Sequence, residues 1–344
     1  NEANSHPKGP VYVGFTANAL EGIAEMNIVP SAPVHDAVRP DPEGIRAAAD
    51  MLQDARSPLL IVGDRVSDDD GIGHAVELAE IVGMPVYQSR GAEVSFPTNH
   101  PQYLGVHSLR VASDRESLKG YDVILTVGMD TFDELFYWGD IILGENTRLI
   151  HIDPIPGRVG KTEPTDLGII SNCKAALEML NDVLKDTVNK EIANKLRKES
   201  IQLASEERQT YEDSVSSKWK NTPMSPARMM YELSKSVPAN SIIVDDSVSN
   251  RAAVRHYFEG KARDDIRGVR GQSIGGGIGA TMGTQCAFPD RPVFGIIGDG
   301  SAMMTIQGLW TAANDDIPCV FVICNNGMYR VLKVNFNIYQ TELL

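Results

Sequence analysis

The chain has only four cysteines in 344 residues, Cys173, Cys286, Cys319 and Cys324, with no CxxC pair and no histidine cluster beside them. That scarcity excludes a disulfide framework and a cysteine–histidine zinc site, and it suits a reducing, cytoplasmic setting. No apolar run approaches the roughly eighteen residues of a membrane-spanning helix. The first residues also lack the basic and apolar blocks of a signal peptide. Basic residues are in deficit, 32 Lys and Arg against 46 Asp and Glu, for a formal charge of −14. Long-range repulsion therefore opposes nucleic acid or an anionic membrane as partner, which leaves small-molecule chemistry as the expectation. An initial Met is missing too: "NEANSHPKGPVYVGF" enters a strand-like VYV almost at once, and "KVNFNIYQTELL" stops soon after an apparent helix. Both ends read as cuts within a longer protein.

The chain is long enough to bury a sizeable core in two or three domains. Residues 29–40, rich in proline and without helical period, read as an extended linker. "DPEGIRAAADMLQDA" then places Ile45, Ala48, Ala49 and Leu52 on one helical face. Buried-strand runs follow, "PLLIVGD", "MPVYQ", "DVILTVG" and "TRLIHID", separated by helix-length segments such as "GIGHAVELAEIVG". Such alternation predicts a doubly wound parallel α/β domain over 41–187. Residues 188–222 read as a charged helical linker of one or two solvent-facing helices. From 223 to 344 a second α/β unit is expected: a Ser-Pro helix start, strand "SIIVDD", a glycine-rich region, strand "VFGIIG", a helix and strand "CVFVICN". The fold class is thus α/β, with two doubly wound parallel-sheet domains.

"FGIIGDGSAMM" holds one acid, Asp299, between two glycines where a buried strand gives way to a helix carrying Ala302, Ile306, Leu309 and Ala313. The carboxyl edge of such a sheet is where ligands bind. Gly298 and Gly300 let main-chain N–H groups approach an anion, and phosphate is the natural guess. A phosphate beside a carboxylate is repelled unless a divalent cation lies between them. Mg²⁺ or Ca²⁺, which accept carboxylate, amide and main-chain oxygens, would resolve the conflict. The next strand ends in Asn325 and Asn326, and a helix plus a strand fit in the interval. The crossover returns amide oxygens to the same edge. Alone, GDG is often only a tight turn after a strand.

GDG followed by NN at this spacing resembles the diphosphate and Mg²⁺ motif of thiamin diphosphate enzymes. The resemblance covers essentially the whole chain and lies within the 2-oxo acid decarboxylase and acetolactate synthase family. Its benzoylformate decarboxylase branch is nearest in phrasing, with "GDGSA", "LWTAA" and "FVICNNGMY" in order. It implies that residues 1–28 are the last strand and tail of a pyrimidine-binding domain, 41–187 a central domain and 223–344 the first part of a thiamin diphosphate domain. Asp299, the Asn326 side chain and the main-chain oxygen of Met328 would hold Mg²⁺, while Ser301 and the Gly300 main chain would meet the diphosphate. Ser249 and Asn250, in "VDDSVSNRAAV", would be further diphosphate donors, and equally they could be helix N-caps. Ile278 would wedge between the cofactor's rings, the Gly276 carbonyl would accept from the aminopyrimidine, and Tyr329 would complete the cofactor-binding set.

The resemblance implies thiamin diphosphate- and Mg²⁺-dependent decarboxylation of a small-molecule 2-oxo acid by a homodimer or homotetramer. An acetolactate synthase-like carboligase is the alternative within the family, and a non-catalytic nucleotide-binding module the alternative outside it. No catalytic residue is assigned here, because the family's activating glutamate belongs to the pyrimidine-binding domain; residues 1–344 alone are expected to be inactive. The family's pocket histidine has no counterpart either: no His lies between His107 and His151, and Leu135 takes its place. Phe132, Phe136, Tyr137 and Trp138 could line a pocket or simply cover a core, while Val331 and Asn335 fall where the family varies its substrate-pocket side chains. The acids ending "LLIVGD" and "LIHID" could meet the ribose of FAD, although no GxGxxG accompanies them and turn acids are common.

Overall fold

The computed structural model describes all 344 residues except 1, 6–7, 31, 33–34, 36, 92, 110–111, 131, 133–141, 270–272 and 344. Up to residue 41 the described chain has a 3-10 turn, Glu2–Asn4, and one short helix, α1 (Ala17–Glu21). The strand expected at Val11–Val13 does not form, and Tyr12 there is 94% exposed. A strand persists only where a neighbour takes its N–H and C=O groups, and no described strand lies beside this one.

From Asp41 onward the hydrophobic pattern translates directly into structure. The Asp41 carboxylate accepts the Glu43 N–H at 2.8 Å and Pro42 fills the first turn, so α2 (Pro42–Gln53) starts there. Its buried face is Ile45, Ala48, Ala49 and Leu52. There follow β1 (Pro58–Val62), α3 (Asp64–Asp68), α4 (Ile72–Val82), β2 (Val86–Gln88), β3 (Tyr103–Val106), α5 (Ala112–Leu118), β4 (Val123–Val127), β5 (Arg148–Asp153), β6 (Leu167–Ile170) and α6 (Cys173–Thr187). The strands form one parallel sheet in the order β3-β2-β1-β4-β5-β6. β1 and β4 are buried throughout because helices cover both faces. Leu60 and Val62 join the core under α2, α4 and α6, whereas Leu59 and Ile61 point the other way toward Leu118 of α5.

The charged segment forms one continuous helix, α7 (Lys190–Ser216), rather than two. It buries only Ala193, Ser200 and Ala204, small residues that let it lie close on the loop after α4. Ser200 Oγ donates to the Gly83 carbonyl at 2.7 Å, and a Cβ at Gly83 would sit 2.2 Å from the Ala193 oxygen. At its far end the Tyr211 ring stacks on His256 at 4.0 Å, and Glu212 accepts from the Tyr257 hydroxyl at 3.1 Å.

The second unit runs α8 (Pro226–Ser236), β7 (Ile242–Asp246), α9 (Arg251–Tyr257), β8 (Ile266–Gly268), α10 (Gly277–Ala287), β9 (Val293–Gly298), α11 (Asp299–Met304), α12 (Gly308–Asn314), β10 (Val320–Cys324) and α13 (Arg330–Ile338). Its parallel sheet has the order β10-β9-β7-β8. Ile243 and Ile296 pack toward α8 and α9, while Ile242 and Val244 face Ala280 of α10. The single helix expected after Asp299 is broken between Met304 and Gly308. Thr305 and Ile306 are both β-branched, and the Thr305 hydroxyl donates to the Gly275 carbonyl at 2.7 Å instead of facing solvent. The two sheets meet through the loop after β2: Thr98 N–H donates to Gly260 O at 2.8 Å, and Arg263 Nε reaches Glu93 at 2.7 Å.

One glycine contrast tests this packing. A Cβ at Gly63 would lie 2.4 Å from the Gly128 oxygen and 2.5 Å from Met129 Cβ, whereas at Gly73, within α4, it would meet nothing within 4 Å. Gly63→Ala is expected to lower unfolding stability by about 1–3 kcal/mol. Gly73→Ala should raise it by about 0.5–1 kcal/mol. Urea titrations of both variants measure the difference.

Candidate cofactor site

Parallel pairing puts the carboxyl ends of β7, β9 and β10 on one edge. Asp246 lies opposite Ile297 and Cys324 opposite Gly298, so Ser247, Asp299 and Asn325 leave the sheet side by side. Asp299 Oδ2 accepts the Gly327 N–H at 3.0 Å, and Asn325 Oδ1 takes the same N–H at 3.0 Å. Asn326 Oδ1 accepts the Met328 N–H at 3.0 Å. The loop can turn back this sharply because Gly327 has φ 64, a left-handed conformation with open space around its Cβ position. The Met328 carbonyl accepts from Arg330 N–H at 3.0 Å. Tyr329 lies across Gly300, where a Cβ would come within 2.6 Å of its ring.

The acid of the GDG turn and the amides of the next strand's end are therefore brought together, as the spacing requires. Their donors are a carboxylate, an amide oxygen and a main-chain oxygen, all hard ligands that fit Mg²⁺ rather than a softer metal. Among the described residues no group of three or more His, Cys, Asp or Glu is gathered that could hold a metal by itself. Asn326 and Met328 are exposed and Asp299 is half-buried, so the oxygens are accessible once their internal hydrogen bonds are exchanged.

The glycine-rich stretch lies against the same edge, but not all its residues face outward. Ile278 is 1% exposed, packed with Ile297 and Ala302 inside the sheet–helix core. Ile274, four residues earlier, is instead 36% exposed. The Gly276 carbonyl accepts Ala280 N–H at 2.8 Å, opening α10. Ser301 is 4% exposed, and its hydroxyl donates to Asp246 while accepting Gly275 N–H at 2.7 Å. Burial pushes the Asp246 carboxyl above its ordinary value, against the opposing pull of Ser301 and two main-chain N–H groups.

Beside them the turn after β7 contains Val248 at φ 45, a left-handed conformation that a β-branched residue adopts at a cost. Ser249 is exposed, whereas Asn250 is buried, with its side chain on the Cys324 thiol. Neither residue makes a side-chain N-cap hydrogen bond to the following helix. α13 packs against this turn; Val331 and Asn335 are half-buried on it, and the Asn335 Oδ1 atom is buried without a hydrogen-bond partner. In the first sheet Phe132 is buried in the core, and Leu135, Phe136, Tyr137 and Trp138 lie outside the described residues. The two acids considered for a ribose are engaged internally, Asp153 with Arg65 at 2.8 Å and Asp64 with the Glu93 N–H at 3.1 Å.

Two family descriptions match this chain: "Thiamine pyrophosphate enzyme, central domain" over residues 45–180 and "Thiamine pyrophosphate enzyme, C-terminal TPP binding domain" over residues 251–342. The chain belongs to the thiamine pyrophosphate enzyme family. Among its relatives, benzoylformate decarboxylase of Pseudomonas aeruginosa is 29% identical over 96% of this chain and 60% of its own length. Acetolactate synthase of Mycobacterium leprae is 27% identical over 96% of the chain and 53% of its own length. The solved structure of a thiamine diphosphate-dependent 4-hydroxybenzoylformate decarboxylase from Rhodococcus jostii superposes with a TM-score of 0.74 at 27% identity, covering 91% of this chain and 56% of that one. Benzoylformate decarboxylase from Polynucleobacter necessarius gives 0.81 over 99% of this chain and 62% of that one; at 19% identity, that likeness concerns the fold alone. The thiamine pyrophosphate enzyme chain thus spans between half and two thirds of the length of these relatives.

The packing of Cys324 under this site has a chemical readout. Burial pushes its thiol up to about 11, against the hydrogen bond from Asn250, while Cys286 is exposed. At pH 8 only about a thousandth of Cys324 is thiolate. Peptide mass spectrometry after brief iodoacetamide treatment should find Cys286 modified and Cys324 intact.

Proposed function

We propose that the protein carrying this chain is an enzyme that uses thiamin diphosphate and Mg²⁺ to decarboxylate a small-molecule 2-oxo acid. The observation that carries this reading is the convergence of Asp299 and the Asn325–Met328 loop at one sheet edge, within the segment matched as a TPP binding domain. Thiamin diphosphate, when bound, supplies a nucleophilic thiazolium carbon and the electron sink for the departing carboxylate.

The chain's own contribution is to bind and orient. Asp299, the Asn326 amide oxygen and the Met328 main-chain oxygen would hold the cation, which screens the Asp299 charge from the diphosphate. The Gly300 main chain and Ser249 would face the diphosphate oxygens, with Asn250 held behind them on Cys324. The Ser301 hydroxyl is engaged by Asp246 and Gly275, which ties the glycine-rich stretch to α11. Ile274, exposed where Ile278 is buried, would support the rings from the stretch that also carries Gly276. Val331 and Asn335 would border the substrate on the α13 side.

The identity of the product separates two chemistries that share this machinery. Both benzoylformate decarboxylase and acetolactate synthases are among the relatives, so carboligation to an acetohydroxy acid is the second reading. A homodimer or homotetramer is the expected assembly. It is supported by apolar side chains left open on α12 and α13, where Trp310 is 71%, Leu332 62% and Phe336 59% exposed.

Calorimetry with thiamin diphosphate and Mg²⁺ tests the site. Asp299→Ala should weaken binding by about 100-fold, and chelation of Mg²⁺ should do the same to the wild type. Equal binding by both proteins would remove the metal assignment and leave a nucleotide-binding module as the better reading. Incubation of the full-length protein with pyruvate, benzoylformate and branched 2-oxo acids should yield CO₂ and the aldehyde; acetolactate without aldehyde would replace decarboxylation by carboligation.

A further inference from the structure

Asp246, the last residue of β7, is 1% exposed and faces neither solvent nor a basic side chain assigned to the site. Its Oδ2 atom collects three donors from two distant segments: Gly277 N–H at 2.9 Å, Gly275 N–H at 3.3 Å and the Ser301 hydroxyl. Ser301 closes the ring by accepting Gly275 N–H at 2.7 Å, while the Gly275 carbonyl accepts from Thr305 Oγ1 at 2.7 Å. Both polar groups of the Gly275 main chain are thereby fixed, one from β7 and α11 and one from the break after α11.

The glycines are those this contact needs. A Cβ at Gly277 would come within 2.7 Å of Asp246 Cβ, and one at Gly275, whose φ is 102, within 2.8 Å of Met304 Cβ. A stretch whose composition suggests a flexible loop is therefore pinned at two N–H positions, Gly275 and Gly277. Ile274 precedes the first of them and is held, 36% exposed, at the edge that also carries Asp299.

We propose that Asp246 is a positioning residue that fixes Ile274 and the Gly275–Gly277 main chain against α11, so that the ring-bearing half of the cofactor depends on it and the diphosphate half does not. This rests on the cofactor reading above. Asp299 and the Asn325–Met328 loop hold the tail without any contact to Asp246. The 274–277 segment, which would support the rings, is tied to the end of β7 through that one carboxylate oxygen. Loss of the carboxylate removes a charged acceptor shared by three donors, which a neutral amide satisfies only in part.

The test compares two probes on the full-length protein in the presence of Mg²⁺: inorganic diphosphate, which has no rings, and thiamin diphosphate. Asp246→Asn should weaken thiamin diphosphate binding about tenfold and leave inorganic diphosphate within about twofold, whereas Asp299→Ala should weaken both. Ser301→Ala, which removes one donor and keeps the carboxylate, should shift the ratio in the same direction by about threefold and serves if Asp246→Asn does not fold. Hydrogen exchange of the ligand-free protein should show faster exchange at Gly275 and Gly277 in both variants, with β9 unchanged. An unaltered ratio of the two affinities, or equal loss of both, would overturn the positioning role alone. Failure of the wild type to bind either probe would overturn the cofactor reading and the positioning role with it.

Discussion

Parallel pairing is the constraint on which the site depends. Because β7, β9 and β10 run the same way, every residue that follows them emerges on one edge, and each return passes through a helix on a face of the sheet. Asp299 and Asn325 are far apart along the chain yet share the Gly327 N–H because β9 and β10 are adjacent and in register. Asp246 is brought in by β7 on the other side of β9, and the turn Val248–Asn250 follows it. Three strand ends thus carry an acid that would hold a cation, an amide pair that would complete its shell, and a second acid that holds the ligand-facing loop.

What could be read from sequence follows from locality. The long central strands announce themselves as continuous apolar runs, and α2 and α8 by a cap, a proline and a helical stripe. β3, β6 and β8 were missed because edge strands of three or four residues, exposed on one side, have too few apolar positions to stand out. The meeting of Asp299 with the loop after β10 was legible because their spacing equals one crossover. The role of Asp246 was not, since "SIIVDD" ends like any strand, and its partners, Gly275, Gly277 and Ser301, lie 29, 31 and 55 residues later. The family resemblance implies that Ile278 faces the ligand. Instead it lies in the first turn of α10, and helix geometry turns it into the core.

Ser301 is engaged within the protein rather than left open at the edge. The hydroxyl next to GDG reads as a contact for the diphosphate, but in the structure its one donor is taken by Asp246 while it accepts from Gly275. In the first sheet the crevice where strand order reverses, between β1 and β4, is likewise occupied by the protein itself. The Arg65 guanidinium reaches Asp153 and Asp130, both at 2.8 Å, across the ends of those strands. The same architectural position therefore does different work in the two halves, a self-contained ion-pair cluster in one and a ligand-facing edge in the other.

α7 carries a geometric obligation that its composition hides. At about 1.5 Å per residue its 27 residues form a rod of about 40 Å, seated on Gly83 near one end and on His256 and Tyr257 near the other. Most side chains between these seats face water and are free to vary, apart from Ala204, which is buried, and Arg208, which donates to the His100 carbonyl at 2.9 Å. Their number is not: one residue inserted or deleted there would swing Tyr211 by about 100° around the axis and away from its histidine. The segment with the least sequence character is thus a fixed-length spacer, free in spelling and strict in count.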